Sequence, residues 1–305
     1  MSTPIRLAGY VAILVVALLG AYGIGNAVGP IGGVAQDTHH ETAGDVAASQ
    51  QAVGATLPGG LQSSAQGYTL HLLTPILEPG TQTLRFHILD AAGEPVTAYD
   101  VTHEAALHFF AVRRDLSGFA HLHPTMDDSG TWQVEVDLTP GTWRFLADFR
   151  PTGATGSLTL GHDGFVAGDF EPRPLPAAEQ TVEVDGYAVT LSGDLRVGGS
   201  SELSMSISNA GRPVIDLEPY LGAYGHLVAL REGDLAYLHV HPRGAPEDDA
   251  TEPGPRIAFG TSAPSAGAYR LFLDFKHDGV VRTAAFTVHA ESDTTAHDDG
   301  ADHEH

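Results

Sequence analysis

The 305-residue chain contains no cysteine, so no disulfide can staple its fold and no thiolate can hold a metal. Thioether sulfur is scarce too: Met1, Met126 and Met205 are the only methionines, too few for a methionine-rich cuprous site. Lysine occurs once, at Lys276, and 15 basic residues face 38 acidic ones, for a formal net charge of -23. Nucleic acids are gripped by Lys and Arg on phosphate, so this balance excludes a nucleic-acid partner and suits cations instead. Any metal site must therefore be built from imidazole and carboxylate, and the chain carries 17 histidines.

One long apolar run is present. From Leu7 to Val28 no residue is charged, enough to cross a bilayer as a helix. Arg6 precedes it and an acidic chain follows, so the positive-inside rule predicts residues 1–29 as a signal-anchor with the body outside the cytoplasm. A cleaved signal, ending near Gly33 to Ala35, is the other reading; either way the protein is exported. Residues 30–66, rich in Gly, Ala, Ser and Gln, read as a flexible tether.

Beyond the tether the apolar pattern has period two. Leu84, Phe86 and Ile88 share a face, as do Trp132, Val134, Val136 and Leu138, and Trp143, Phe145, Ala147 and Phe149. Short turn signals separate these runs, which predicts an all-β sandwich over 67–172. After a proline-punctuated linker at 173–180 the alternation resumes in Tyr187, Val189 and Leu191, in Leu203, Met205 and Ile207, and in Tyr269, Leu271, Leu273 and Phe275. A second sandwich is expected over 181–290, followed by a charged, disordered tail at 291–305. "GHDG" at Gly161 and "KHDG" at Lys276 both read as turns.

The halves repeat. At a constant offset of 118 residues, "LHFFAVRRDLSGFAHLHP" from Leu107 aligns with "GHLVALREGDLAYLHVHP" from Gly225. All three histidines of each copy match: His108 with His226, His121 with His239, and His123 with His241. Residues two apart on a strand share a face, and a two-residue turn at Glu232-Gly233 would set His226 directly opposite His239. The same rule sets His108 opposite His121, while the proline after each trio fixes His123 and His241 at a strand end. Such a trio suits the roughly 2.0–2.1 Å metal–nitrogen distances of a zinc-type site. His103, which lacks a histidine counterpart, and the aligned Asp148 and Asp274 are further candidate ligands, the two aspartates also reading as solvated strand-edge residues.

The segments "HEAALHFFAVRRDLSGFAHLHP" and "LEPYLGAYGHLVALREGDLAYLHVHP" resemble a family of bacterial, actinobacterial-type membrane-anchored exported proteins with paired YtkA/FixH-like modules. The resemblance runs from about Tyr68 to Val288 and is most specific through the two HxHP hairpins. It implies immunoglobulin-like β-sandwiches, an extracytoplasmic location and an association with heavy-metal or copper handling. It also implies roles for His103, His108, His121, His123, His226, His239 and His241, and it identifies no substrate or enzymatic activity.

The expected molecule is thus all-β: two tandem immunoglobulin-like β-sandwich domains after an N-terminal transmembrane helix, with one three-histidine site per domain. Its expected function is non-enzymatic binding of Cu(II) or Zn(II), for sequestration or for transfer to a protein partner. An adhesion module with structural or pH-sensing histidines is the alternative. A metal-dependent hydrolase or hydratase is a third, disfavoured by the lack of a recognisable general-base motif.

Overall fold

Period-two alternation becomes strands wherever it was read. The computed structural model describes residues 57–291 apart from His239 and Asp249; the expected anchor, most of the tether and nearly all of the tail lie outside the described residues. Among the described residues there is no α-helix, and none that is long and apolar enough to cross a membrane.

The first sandwich has two sheets. One orders β1 (Ser64–Ala65), β2 (Tyr68–Leu72), β4 (Gly80–Leu89), β9 (Trp132–Leu138) and β8 (Thr125–Met126). The other orders β3 (Ile76–Leu77), β11 (Leu158–Val166), β10 (Gly141–Pro151), β6 (Leu107–Arg113) and β7 (Phe119–Leu122), with β5 (Tyr99–Asp100) pairing the end of β10. Leu84, Phe86, Phe109, Phe145 and Phe149 meet between these sheets as a buried core. β1 and the backbone before it fall within the stretch read as tether, and Gly60 N donates to Thr159 O at 2.8 Å, so this backbone packs on the first sandwich.

The second sandwich repeats the plan. One sheet orders β12 (Thr181–Val184), β13 (Tyr187–Ser192), β14 (Ser201–Asn209), β19 (Arg256–Thr261) and β18 (His241–Pro242), with β15 (Arg212–Pro213) on β14. The other orders β17 (Tyr237–Leu238), β16 (His226–Arg231), β20 (Gly267–His277) and β21 (Val280–Ala290). Val189, Met205, Ile207, Tyr269, Leu271, Leu273 and Phe275 fill the space between them.

A third apolar cluster joins the sandwiches. On β6, Leu107, Phe109 and Ala111 face their own core, so His108, Phe110 and Val112 face outward; on β16, Leu227 and Ala229 face inward, so His226, Val228 and Leu230 face outward. Those outward apolar side chains do not meet water. Phe110, Val112 and Leu146 of the first sandwich pack with Val228, Leu230 and Phe272 of the second. Phe119 stacks on Phe272 with centroids 4.0 Å apart and planes 4° from parallel. Equivalent positions supply both sides, Phe110 and Val228, Val112 and Leu230, so the duplicated modules bury the same face against each other.

The histidine hairpins keep the expected faces but not the expected register. Phe110 pairs with His121 and Val112 with Phe119 in the first, and Leu230 pairs with Tyr237 in the second. His121 therefore stands opposite Phe110, not His108, and the second hairpin carries the same two-residue shift. The loops are longer than two residues: Arg113 N donates to Gly118 O, and Arg231 N to Ala236 O. Leu116 and Leu235, at φ 60° and 61°, turn into the apolar cluster between the sandwiches, which repays their strained backbone. A shift of two preserves the side-chain face, so His108, His121 and His123 still share a side. After His123-Pro124 the chain leaves the inner sheet for β8 in the outer one; His241-Pro242 itself forms β18 in the outer sheet. Proline marks the crossing between layers.

Of the two supposed turns, only "KHDG" is one: β20 and β21 join through Asp278 and Gly279, at φ 52° and 71°. "GHDG" lies within β11, where Phe145 pairs with His162. Its glycines answer crowding. A Cβ on Gly161 would strike the carbonyl oxygen of Gly60 and the Arg144 guanidinium, and one on Gly164 would strike the Phe145 ring. Arg144 there donates to the carbonyls of Gly60 and Leu61 and to Asp163, clasping the entering chain. Gly161→Ala is expected to cost about 2 kcal/mol, lowering the thermal midpoint by roughly 4–8 °C. Gly156→Ala, where a Cβ meets nothing within 4 Å, should leave it unchanged in the same melting experiment.

Candidate metal centre

Each outward histidine on an inner strand is oriented by a tight turn. Thr102 N donates to Ala105 O and Ala105 N to Thr102 O, and the two central residues, His103 and Glu104, have φ 49° and 61°. Two positive-φ residues closed by mutual hydrogen bonds make a type I′-like turn. The turn at Tyr220 to Ala223 repeats it 118 residues on, with Leu221 at φ 56° and Gly222 at 73°. Both turns present the same carbonyl to the same imidazole. His108 Nε2 lies 3.0 Å from Thr102 O, and His226 Nε2 lies 2.9 Å from Tyr220 O.

A carbonyl oxygen only accepts, so each of these Nε2 atoms carries the hydrogen, and Nδ1 of the neutral ring carries a lone pair. His121 is oriented from the other sandwich: its Nδ1 lies 2.8 Å from Asp274 Oδ2, which places a hydrogen on Nδ1 and, on the neutral ring, leaves Nε2 bare. In the neutral rings both His108 Nδ1 and His121 Nε2 are bare, and they face each other at 3.1 Å. His123 Nε2 stands 3.3 Å from the same His108 Nδ1. Two lone pairs at that distance repel unless a cation lies between them.

On His108 or His123 a proton is poorly suited to be that cation. Burial, the largest effect, and the neighbouring His121, His226 and His103 push the His108 imidazole down to about 4, although the Thr102 carbonyl acts the other way. His123, through burial and then His121 and His108, also falls to about 4. A metal ion fits better. Tetrahedral ligands about 2.0–2.1 Å from an ion stand roughly 3.3 Å apart, close to the spacing already present. Among the described residues, His108, His121 and His123 offer nitrogens all within 4.8 Å of one another. The partners on the far nitrogens of His108 and His121, a backbone carbonyl and a carboxylate, are those that orient metal-bound imidazoles.

The other candidates distribute unevenly. His226 belongs to the second copy by sequence, yet its ring lies 6.1 Å from that of His121 and 5.5 Å from that of His103. Burial, with His121 and His103 nearby, lowers it to about 4. His103, His108, His121, His226, Asp148 and Tyr237 line a cavity of about 220 Å³ between the sandwiches. His241, in the outer sheet, reaches the same cavity and is otherwise exposed. His239 lies outside the described residues.

Neither aspartate is a solvated strand-edge residue. Each stands directly across from an outward histidine, Asp148 from His108 and Asp274 from His226. Asp148 sees the cavity rather than bulk water, and that burial pushes its carboxyl up to about 6, against the opposing effects of Thr159, whose hydroxyl donates to it, and His121. Asp274 is 2% exposed and accepts from both His121 and Thr283. The carbonyls that accept from His108 and His226, those of Thr102 and Tyr220, carry no sequence signal. The position of the site did carry one: "LHFFAV" and "HLVAL" are apolar on both faces, as strands covered on both sides are.

A family model described as "Domain of unknown function (DUF8832)" matches residues 63–160 and 181–292. No curated protein matches the chain in sequence. Among solved structures, a chimeric titin Z1Z2 tandem is 15% identical over 74% of this chain and 97% of its own, at a TM-score of 0.20. The D0–D1 domain of intimin is 11% identical over 72% and 96%, at 0.21. InvD of Yersinia pseudotuberculosis is 14% identical over 75% of this chain and 58% of its own, at 0.24. Likenesses at such TM-scores assign neither topology nor function.

Proposed function

The chain belongs to the DUF8832 family, a membership that names no chemistry, and from the site itself we propose that the protein binds a divalent transition-metal ion between its two sandwiches. The observation that carries this reading is the convergence of three imidazole nitrogens, His108 Nδ1 lying 3.1 Å from His121 Nε2 and 3.3 Å from His123 Nε2, all within 4.8 Å of one another. Neutral imidazoles suit Zn(II) and Cu(II), and the affinity order places copper above zinc. The resemblance to YtkA/FixH-like proteins leans toward copper and toward immunoglobulin-like modules carried outside the cytoplasm on the 1–29 anchor. An acidic exterior of net charge -23 would gather cations there. The protein sequesters the ion or hands it to a partner; it turns nothing over.

The test is a metal count on the purified full chain. After equilibration with Zn(II) or Cu(II), a weak chelator such as glycine strips ions held by the His-rich termini, and the retained metal is measured. At least one ion per folded chain should resist, with nitrogen ligands visible by X-ray absorption, and the better retained metal names the cargo. A folded chain that retains none has no such site.

A further inference from the structure

The ion site's most buried hydrogen-bond partner comes from the wrong sandwich. His121 belongs to β7 of the first module, and the carboxylate on its Nδ1 belongs to Asp274 on β20 of the second. The first module has its own aspartate at the equivalent place, Asp148, yet His121 bonds to Asp274. We propose that Asp274 is a positioning residue for the ion held by His108, His121 and His123, so that one bound ion clasps the two sandwiches together. This deepens the metal-binding reading and rests on it.

Three observations support the assignment. Asp274 is held on both oxygens, by His121 Nδ1 at 2.8 Å and by Thr283 Oγ1 at 2.5 Å, which locks its orientation. It is 2% exposed, and its two hydrogen-bond donors are an imidazole and a hydroxyl. A buried carboxylate is costly without positive charge, and a dication on His121 Nε2 supplies it through the ring. Withdrawal of electrons by the metal makes Nδ1–H a stronger donor, so ion binding and the inter-sandwich hydrogen bond reinforce each other. By linkage, whatever holds Asp274 against His121 raises metal affinity, and the ion in turn tightens the interface. The apolar contact of Phe110, Val112 and Leu146 with Val228, Leu230 and Phe272 holds the two groups in register.

The experiment compares the full chain with Asp274→Asn and Thr283→Val, using Zn(II) alone as the probe. Affinity is read by competition with a chromophoric chelator, and folding of each variant by circular dichroism. Asp274→Asn is expected to weaken Zn(II) about 10–100-fold at unchanged stoichiometry. Thr283→Val, which frees only one carboxylate oxygen, should weaken it by a smaller factor, and it carries the test should the asparagine variant not fold. Zn(II) should also slow hydrogen exchange at the β16 amides of Val228 to Leu230 in the parent and fail to do so in Asp274→Asn. A purely structural Asp274 would lower the melting temperature while leaving the folded variant's Zn(II) affinity intact. Unchanged affinity in the folded variants therefore overturns the clasp. No Zn(II) on the parent overturns the metal site itself, a separate outcome.

Discussion

His108→Ala is expected to lower Zn(II) affinity by more than 100-fold in the full chain while leaving a folded protein. His108 is the hub of the trio: its Nδ1 approaches both His121 Nε2, at 3.1 Å, and His123 Nε2, at 3.3 Å. Structural zinc sites bind with about 10–16 kcal/mol in all, so losing one of three protein nitrogens should remove about 3 kcal/mol or more. The apo protein loses much less. Alanine removes one of the two donors to the Thr102 carbonyl and leaves the other, Ala105 N, so the lost hydrogen bond costs about 0.5–1.5 kcal/mol. Metal affinity and apo stability thus separate, and chelator competition beside urea denaturation of the chelated protein measures both. An affinity drop below 10-fold would show that the ion sits elsewhere. His226→Ala provides the contrast, since His226 shares the cavity but lies outside the trio. Its loss should weaken Zn(II) by a smaller factor.

That the trio shares a face was legible, because side-chain direction depends on parity and a two-residue shift in register preserves it. The register itself was not legible. It depends on Leu116 and Leu235 adopting positive φ, conformations that leucine takes only because burial between the sandwiches repays them. The same interface explains why sequence placed Asp274 at a solvated edge. Alternation along "YRLFLDFK" puts Leu271 and Leu273 inward and Phe272 and Asp274 outward, and nothing local says that a second sandwich covers the outward side. Phe272 was the hint, an aromatic residue on the supposed solvent face beside an aligned Leu146. "GHDG" misled for a related reason. Glycine there answers the close approach of Gly60 and Arg144, a tertiary contact, and a turn glycine looks identical in sequence.

Acid should loosen the metal-free protein in a defined window. His108, His123 and His226 all fall from the ordinary 6.5 to about 4 in the folded chain, chiefly through burial. Between those values the unfolded chain binds more protons, so their contribution is complete above about pH 6.5 and is lost as pH falls toward 4. Asp148 acts in the opposite sense. Burial raises it from 3.8 to about 6, so the folded state takes up its proton first and gains stability as pH falls from 6 to 4. It cancels about one of the three histidines there, leaving a net loss equivalent to two groups. Halved for the partial exposure of the site, that is about 3 kcal/mol between pH 7 and 4.5. The urea midpoint of the chelated protein should therefore drop across this interval, and a His108→Gln/His226→Gln variant should flatten the profile. Bound metal should move the fall to lower pH, because protons must then displace the ion before they reach the imidazoles. A midpoint that stays level from pH 7 to 4.5 would mean that these histidines are already solvated, and the dry, lone-pair-rich pocket that favours a metal ion would not exist.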